Sequence, residues 1–238
     1  MAEARRLNLG CGTTSAPGWV NVDGSWAAWL SRHATLRRLL LSARIIPERS
    51  SYEQWPDDVI VRDLRKPLPF AADSFDAIYA SHVVEHLYRS DALRLLIECR
   101  RILRPGGVLR VVVPDLRAIV DEYIGGRRIG AAAEESQAGD PCERLNNRLM
   151  LRHARPPDGP LFLRLYTLLA DFHSHKWAYD VPHLSALFEE AGFGCVGARE
   201  YLDSTIPGLA DVERPSRLLE GEGIAVEGKR PGTCSLQP

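Results

Sequence analysis

Hydrophobic positions follow two periods along this chain, and the changes of period outline its elements. Short apolar runs recur at Leu7-Asn8-Leu9, Trp19-Val20-Asn21-Val22, Val59-Ile60-Val61, Phe75 to Ala80 and Val108 to Val113. Their length and β-branched content predict strands. The last run is almost entirely aliphatic, as expected of a strand covered on both faces. Before it, Ala92, Leu95, Leu96, Cys99, Ile102 and Leu103 recur at spacings of three and four. That spacing predicts an amphipathic helix, stopped by Arg104-Pro105-Gly106-Gly107. Strands alternating with helices predict an α/β fold with a doubly wound, mostly parallel sheet.

After Pro114-Asp115 the pattern changes. Residues 121–180 are rich in arginine, alanine and leucine, with helical periodicity near 143–153 and 160–172 and no strand pattern. This predicts a helical insertion or lid after the fifth strand. Arg144, Arg148 and Arg152 would lie along one helix face and favour an acidic or heavily hydroxylated ligand, unless nearby acids such as Glu134, Glu135 and Glu143 neutralise them. Asp180-Val181-Pro182 opens another helix, with Leu184, Leu187, Phe188 and Ala191 on one face and Gly192 at its end. Cys195 to Tyr201 and Ile224 to Val226 predict two final strands, and 230–238 a loose tail. The whole, 1–238, reads as a single domain. Residues 25–46 predict one further helix, with Trp26, Trp29, Leu36, Leu40 and Ala43 on a side packed against the sheet or another subunit.

Charge and cysteine content narrow the picture. Thirty Lys and Arg against thirty-one Asp and Glu leave a net charge of −1, so no general attraction to nucleic acid is expected. No apolar run reaches transmembrane length and no signal peptide is evident, so neither a membrane nor an export role is expected. The cysteines are widely spaced and form no CxxC pair. A reduced cytoplasmic setting without metal or disulfide framework follows.

The sharpest chemical signal is Leu7-Asn8-Leu9-Gly10-Cys11-Gly12, a strand that turns through two glycines. Such a turn lets a ligand approach the backbone. Asp23, at the tip of the next strand, is a carboxylate placed to hold a ribose. With Asp63-Leu64 before Pro67-Leu68-Pro69-Phe70, Ser74-Phe75-Asp76-Ala77-Ile78, Glu85-His86-Leu87 and Leu103 to Leu109, the ordered set resembles the class I S-adenosylmethionine-dependent methyltransferases of the small bacterial type 11 group. The resemblance covers 7–115 and resumes at 180–200. It implies a Rossmann-like seven-stranded sheet whose last strand is antiparallel, and S-adenosyl-L-methionine as cofactor. It also implies that Gly10, Cys11 and Gly12 pass under the methionine part, that Asp23 holds the ribose, Asp63 and Leu64 the adenine, that Ser81 and His82 border both cofactor and acceptor, and that Asn8 is among the cofactor-binding residues. One departure is that only residues 13–22, with Pro17-Gly18, link Gly12 to Asp23, where many relatives fit a helix.

Methyl transfer from a sulfonium is an in-line displacement that depends on positioning. A hydroxyl acceptor must also lose a proton, for which histidine is suited. His82, His86, Asp115 and His175 are the candidate catalytic residues, with His173 also in range. No metal ligands are assigned, although a divalent ion such as magnesium could assist. His82-Val83-Val84-Glu85-His86 also spells the H-x-x-E-H pattern of some zinc peptidases, which would need an α-helix there. The expected function is O-methylation of a polar small molecule such as a sugar, glycan precursor or natural product. The alternatives are N- or C-methylation, or a non-catalytic cofactor-binding scaffold using the 25–46 helix. A homodimer is compatible with either.

Overall fold

Why the apolar runs become strands is plain from their two-sided burial. The computed structural model describes residues 4–43, 55–125, 140–150, 174–219 and 223–232. Strands β1 (Arg6–Leu9), β2 (Trp19–Asp23), β3 (Ile60–Val61), β4 (Phe75–Ser81) and β5 (Leu103–Pro114) pair in parallel. Strand β7 (Gly223–Lys229) is antiparallel to both its neighbours, β5 and β6 (Gly194–Arg199). The sheet order is β3-β2-β1-β4-β5-β7-β6. The doubly wound fold with an antiparallel final strand is therefore what forms.

Alternate residues divide between two cores. Leu7, Leu9, Ile78, Ala80, Leu109, Val111 and Val113 meet helix α3 (Arg89–Ile102) through Ala92, Leu95, Leu96 and Cys99. The helix over 181–190, here α6, adds Leu184, Leu187 and Phe188 to the same face. Trp19, Ala77, Tyr79, Val108 and Val112 point the other way and are covered by Ile206 and Leu209. Asp180 caps α6 by accepting from His183 N at 2.8 Å, and Gly192 follows the helix at φ +83°, as that stop requires.

One strand position breaks the aliphatic rule. Arg110 lies in the centre of β5 and is fully buried. Its five N–H groups all find acceptors: Glu213 Oε1 at 2.6 Å and Oε2 at 2.9 Å, Glu227 Oε1 at 3.0 Å, and the carbonyls of Glu200 at 2.7 Å and Asp203 at 3.1 Å. The guanidinium thus ties the 200–213 segment to the back of the sheet.

The single helix expected over 25–46 is instead two. Helix α1 (Trp26–Ser31) is capped by Ser25, whose hydroxyl accepts from Ala28 N at 3.1 Å. It ends where Arg32 reaches Asp57 at 2.9 Å and the carbonyls of Pro56 and Val59. His33 then leaves helical geometry at φ −120°, ψ 65°, before α2 (Ala34–Ser42). Long-range anchoring of Arg32, invisible to local periodicity, sets the break. Only Ala28 and Leu30 of α1 are buried, and no residue of α2 is. Trp26 and Trp29 stack at 4.9 Å between ring centroids, so Trp29 spends part of its surface locally. Residues 44–46 lie outside the described residues, as does the 160–172 piece of the insertion.

Of the insertion, α4 (Leu116–Gly125), α5 (Pro141–Leu149) and 174–180 are described. Among the described residues, Glu122 of α4 pairs with both Arg148 and Arg144 of α5. Among the described residues no helix is long and apolar enough to cross a membrane.

Candidate functional site

The carboxyl ends of β1, β2 and β4 converge on one edge of the parallel sheet, the usual place for ligands in such folds. Gly10 leaves β1 at φ +66° and its N–H donates to the Val22 carbonyl at 2.8 Å. A Cβ on Gly10 would come within 2.3 Å of Val83 Cγ2, so only glycine lets this turn pack on the segment after β4. Gly12, at φ +61°, faces open space. No helix follows; turns at 12–13 and 17–18 flank an irregular stretch, in keeping with the short link to β2.

Asp23 organises this loop. Its Oδ2 accepts from Gly12 N at 3.0 Å and its Oδ1 from Ser25 N at 2.8 Å. Each oxygen retains a second lone pair, and the side chain sits at the glycine turn, so a ligand diol has acceptors available there. Cys11 lies beside it. Burial, and then the negative charge of Asp23, push its thiol up to about 12, so it stays protonated and inert as a nucleophile near neutrality. Asn8 is spent within the sheet, donating to Asn21 Oδ1 at 3.1 Å across the β1–β2 register. Asp63 holds Arg65 through both oxygens, at 2.9 Å each, and this pairing keeps its carboxyl below the usual range. Leu64 beside it is buried.

Beyond β4 the chain makes an unusual turn. His82 adopts φ +54°, a left-handed conformation uncommon outside glycine, though histidine enters it more readily than most residues. Its N–H is fixed to the Val112 carbonyl at 2.9 Å. Val84–His86 then form a single 3-10 turn. The H-x-x-E-H residues therefore do not share an α-helix, and the peptidase arrangement does not form. His82 Nδ1 lies 3.1 Å from Glu85 Oε1, an ion-pair distance without hydrogen-bond alignment, and its Nε2 is buried with no hydrogen-bond partner in the described structure.

Two distant parts of the sequence meet at this turn. Lys176 N and Trp177 N both donate to the Glu85 carbonyl, at 2.7 and 3.2 Å, and His175 N donates to the Met150 carbonyl at 3.0 Å. His175 is thereby held against His86, ring centroids 4.9 Å apart, edge to face. Burial depresses His175 below its ordinary 6.5, against the Glu85 charge, while His86 and His82 lower it further and the Leu149 backbone, hydrogen-bonded to it, opposes them. The folded state thus resists protonating His175. Above the unfolded value of 6.5 this costs nothing; as pH falls below it, the unfolded chain binds the proton first and stability declines until the depressed folded value is passed. His175→Gln is expected to flatten the loss of stability between about pH 7 and 5, read by urea denaturation at several pH values. An unchanged slope would assign that loss to another group.

Asp115 stands apart from these groups. Its Oδ1 accepts from Arg117 N at 2.9 Å at the start of α4, and its backbone bridges to Tyr179. Trp177 is 42% exposed and donates to His183 Nε2 at 3.1 Å, a surface junction. His173 lies outside the described residues. Glu85, noted in the sequence only as part of its motifs, is 1% exposed, with neither carboxylate oxygen hydrogen-bonded in the described structure. The H-x-x-E-H pattern contained it, but only the fold shows that it is buried between three imidazoles.

Residues 7–111 match the family model described as a methyltransferase domain. No curated protein matches the chain significantly. Among solved structures, the chain is similar to an S-adenosylmethionine-dependent methyltransferase from Thermotoga maritima, at 18% identity, 97% of this chain, 84% of that one and a TM-score of 0.46. It is similar to an O-methyltransferase family protein from Burkholderia thailandensis, at 12% identity, 97% and 52% coverage and a TM-score of 0.46. It is also similar to a methyltransferase complex with the Haloferax volcanii Trm112 activator, at 15% identity, 96% and 83% coverage and a TM-score of 0.45. The glycine turn and the strand-end Asp23 both lie within the stretch 7–111 that matches the methyltransferase-domain model.

Proposed function

We propose that the enzyme methylates a hydroxyl oxygen of a polar small molecule, a saccharide or related natural product, with His82 as the base. The observation that carries this reading is the strained His82, backed by a buried carboxylate at Nδ1 and presenting an unpartnered Nε2 just past the glycine turn. Strain of this kind persists only where surrounding structure enforces it, and it concentrates at functional positions. A carboxylate beside Nδ1 stabilises the positive charge that the ring gains when Nε2 takes a proton.

The cofactor, when bound, supplies an electrophilic methyl on a sulfonium. The acceptor O–H gives its proton to His82 Nε2 as the oxygen lone pair forms the O–CH3 bond. The bonding pair of the broken S–CH3 bond would leave with the cofactor as its thioether form, so the chain needs to supply only the proton acceptor. The chain's part is to hold the ribose at Asp23, the adenine at Asp63 and Leu64, and the methionine end over Gly10 to Gly12 and Ser81. Acceptor-side contacts come from the 82–86 turn and 174–177. His86 and His175 stand on that side of the site, whereas Asp115 shapes the start of α4. The setting proposed is cytoplasmic, and the assembly proposed is a homodimer.

Two measurements test this. Asp23→Ala is expected to weaken S-adenosylhomocysteine binding by about 1.5–3 kcal/mol, because a charge-assisted acceptor and the support of Gly12 N are lost together. Calorimetry showing unchanged affinity would remove the ribose assignment. Turnover of labelled S-adenosylmethionine against a panel of hydroxylated, amine and activated-carbon acceptors should give product only with hydroxyl acceptors. Transfer confined to amines would replace this reading by N-methylation.

A further inference from the structure

We infer that Glu85, His86 and His175 form a binding site for one borderline divalent metal ion, of the zinc class, on the acceptor side of the methyl-transfer site. This rests on the reading of that side given above, but the metal itself is argued from this cluster alone. One ligand atom from each residue lies within 4.8 Å of the other two. That is close enough for small rotamer changes to bring all three to the roughly 2.0–2.2 Å bonds that zinc makes with imidazole nitrogen and carboxylate oxygen.

The electrostatics call for a cation. Both Glu85 oxygens and His86 Nδ1 are buried without a hydrogen-bond partner in the described structure. Buried polar atoms are almost always paired, and an isolated buried carboxylate is strongly disfavoured. A bound ion would satisfy one Glu85 oxygen and His86 Nδ1 together. His82 Nδ1 stands 3.1 Å from Oε1 of the same carboxylate, so Glu85 has one oxygen for the ion and one for the histidine.

The scaffold is built for fixed geometry. The 84–86 turn carries two ligands, and the Glu85 carbonyl receives Lys176 N and Trp177 N, which pins the segment bearing the third. The Leu149 backbone hydrogen-bonds His175, the kind of outer contact that orients a ligating imidazole. Two imidazoles and one carboxylate suit zinc, cobalt, iron or manganese better than magnesium, which prefers oxygen ligands and retains water. Three protein ligands leave one tetrahedral position open, the pattern of catalytic rather than structural zinc sites. An acceptor hydroxyl oxygen in that position would be acidified, and its proton would pass to His82.

The test is metal binding by the whole chain after chelator treatment. Calorimetric titration with zinc should show one ion per chain, and cobalt(II) should develop visible d–d absorption at one equivalent. Glu85→Gln and His175→Ala should each weaken zinc binding by about 100-fold or more, while His33→Ala, at the N-terminal end of α2, should leave it unchanged. Retained S-adenosylhomocysteine binding would show that the variants fold; should either variant fail that check, the zinc stoichiometry and cobalt spectrum of the wild type decide alone. Absence of stoichiometric zinc uptake, or uptake indifferent to both substitutions, overturns the site. Zinc-free protein that methylates hydroxyl acceptors at full rate would overturn the metal and leave O-methylation standing. Stoichiometric zinc with transfer only to amines would support the site and overturn the hydroxyl reading instead.

Discussion

Replacing Glu213 by alanine is expected to destabilise the enzyme by about 3–5 kcal/mol, the usual consequence of removing one member of a buried ion pair. Arg110 and Glu213 have fully buried side chains, and Glu227 is nearly so. Removing Glu213 strips two of the five acceptors from the guanidinium and leaves that charge in the sheet interior. It also deprives Leu202 N of its partner at 2.7 Å. For a chain of this size the loss corresponds to a melting temperature lower by roughly 6–20 °C. Arg110→Met combined with Glu213→Leu should cost much less than Glu213→Ala alone, because no uncompensated charge remains and Glu227 keeps Arg199 at 3.6 Å. Exposed pairs such as Arg117–Asp121 should be nearly silent under the same treatment, since water already solvates both partners. Thermal denaturation of the three variants checks the ordering. A Glu213→Ala protein as stable as wild type would mean that Arg110 finds other acceptors or water.

The parallel strands were legible because burial on both faces imposes a run of aliphatic residues that little else mimics. Helices α3 and α6 were legible for the complementary reason: a one-sided apolar stripe, followed by Pro105-Gly106 in α3, and opened by Asp180 and Pro182 and followed by Gly192 in α6. The glycine turn could be read because Gly10 has no alternative; a Cβ would strike Val83. The break between α1 and α2 was not legible. It is set by Arg32 reaching to 56–59, a contact that no window of local sequence contains. Arg110 was hidden by its neighbours, for a strand of valines and leucines reads as hydrophobic whether or not one member is charged. The candidate site was legible in part. His82, Glu85, His86 and His175 all drew notice as residue types, but that 175 packs against 86 depends on backbone bonds from 176 and 177 to the Glu85 carbonyl. Asp115 drew notice by its place after β5, yet its carboxylate serves the first turn of α4. Position at a strand end is shared by capping and catalytic residues, so it cannot separate them.

His82→Asn is expected to lower the rate of methyl transfer by about 10²–10⁴-fold while leaving cofactor affinity within about twofold. Asparagine is the informative substitution because it tolerates positive φ, so the backbone at +54° and its bond to Val112 can persist while the proton acceptor is lost. A β-branched residue would confound strain with chemistry. Single-turnover measurement with saturating cofactor isolates the transfer step from product release. The loss should also depend on the acceptor. A phenolic hydroxyl is far more acidic than an aliphatic one and gives up its proton with less help, so its penalty should be small. An aliphatic alcohol should suffer the full penalty. His82→Gly should regain part of the lost rate with added imidazole, since the cavity left by the ring lies beside Glu85, which can orient the small base as it orients the side chain. Equal losses on phenolic and aliphatic acceptors, with no imidazole rescue, would show that His82 shapes the turn rather than takes the proton. The base would then have to be sought at His86 or His175, the two other imidazoles against the same buried carboxylate.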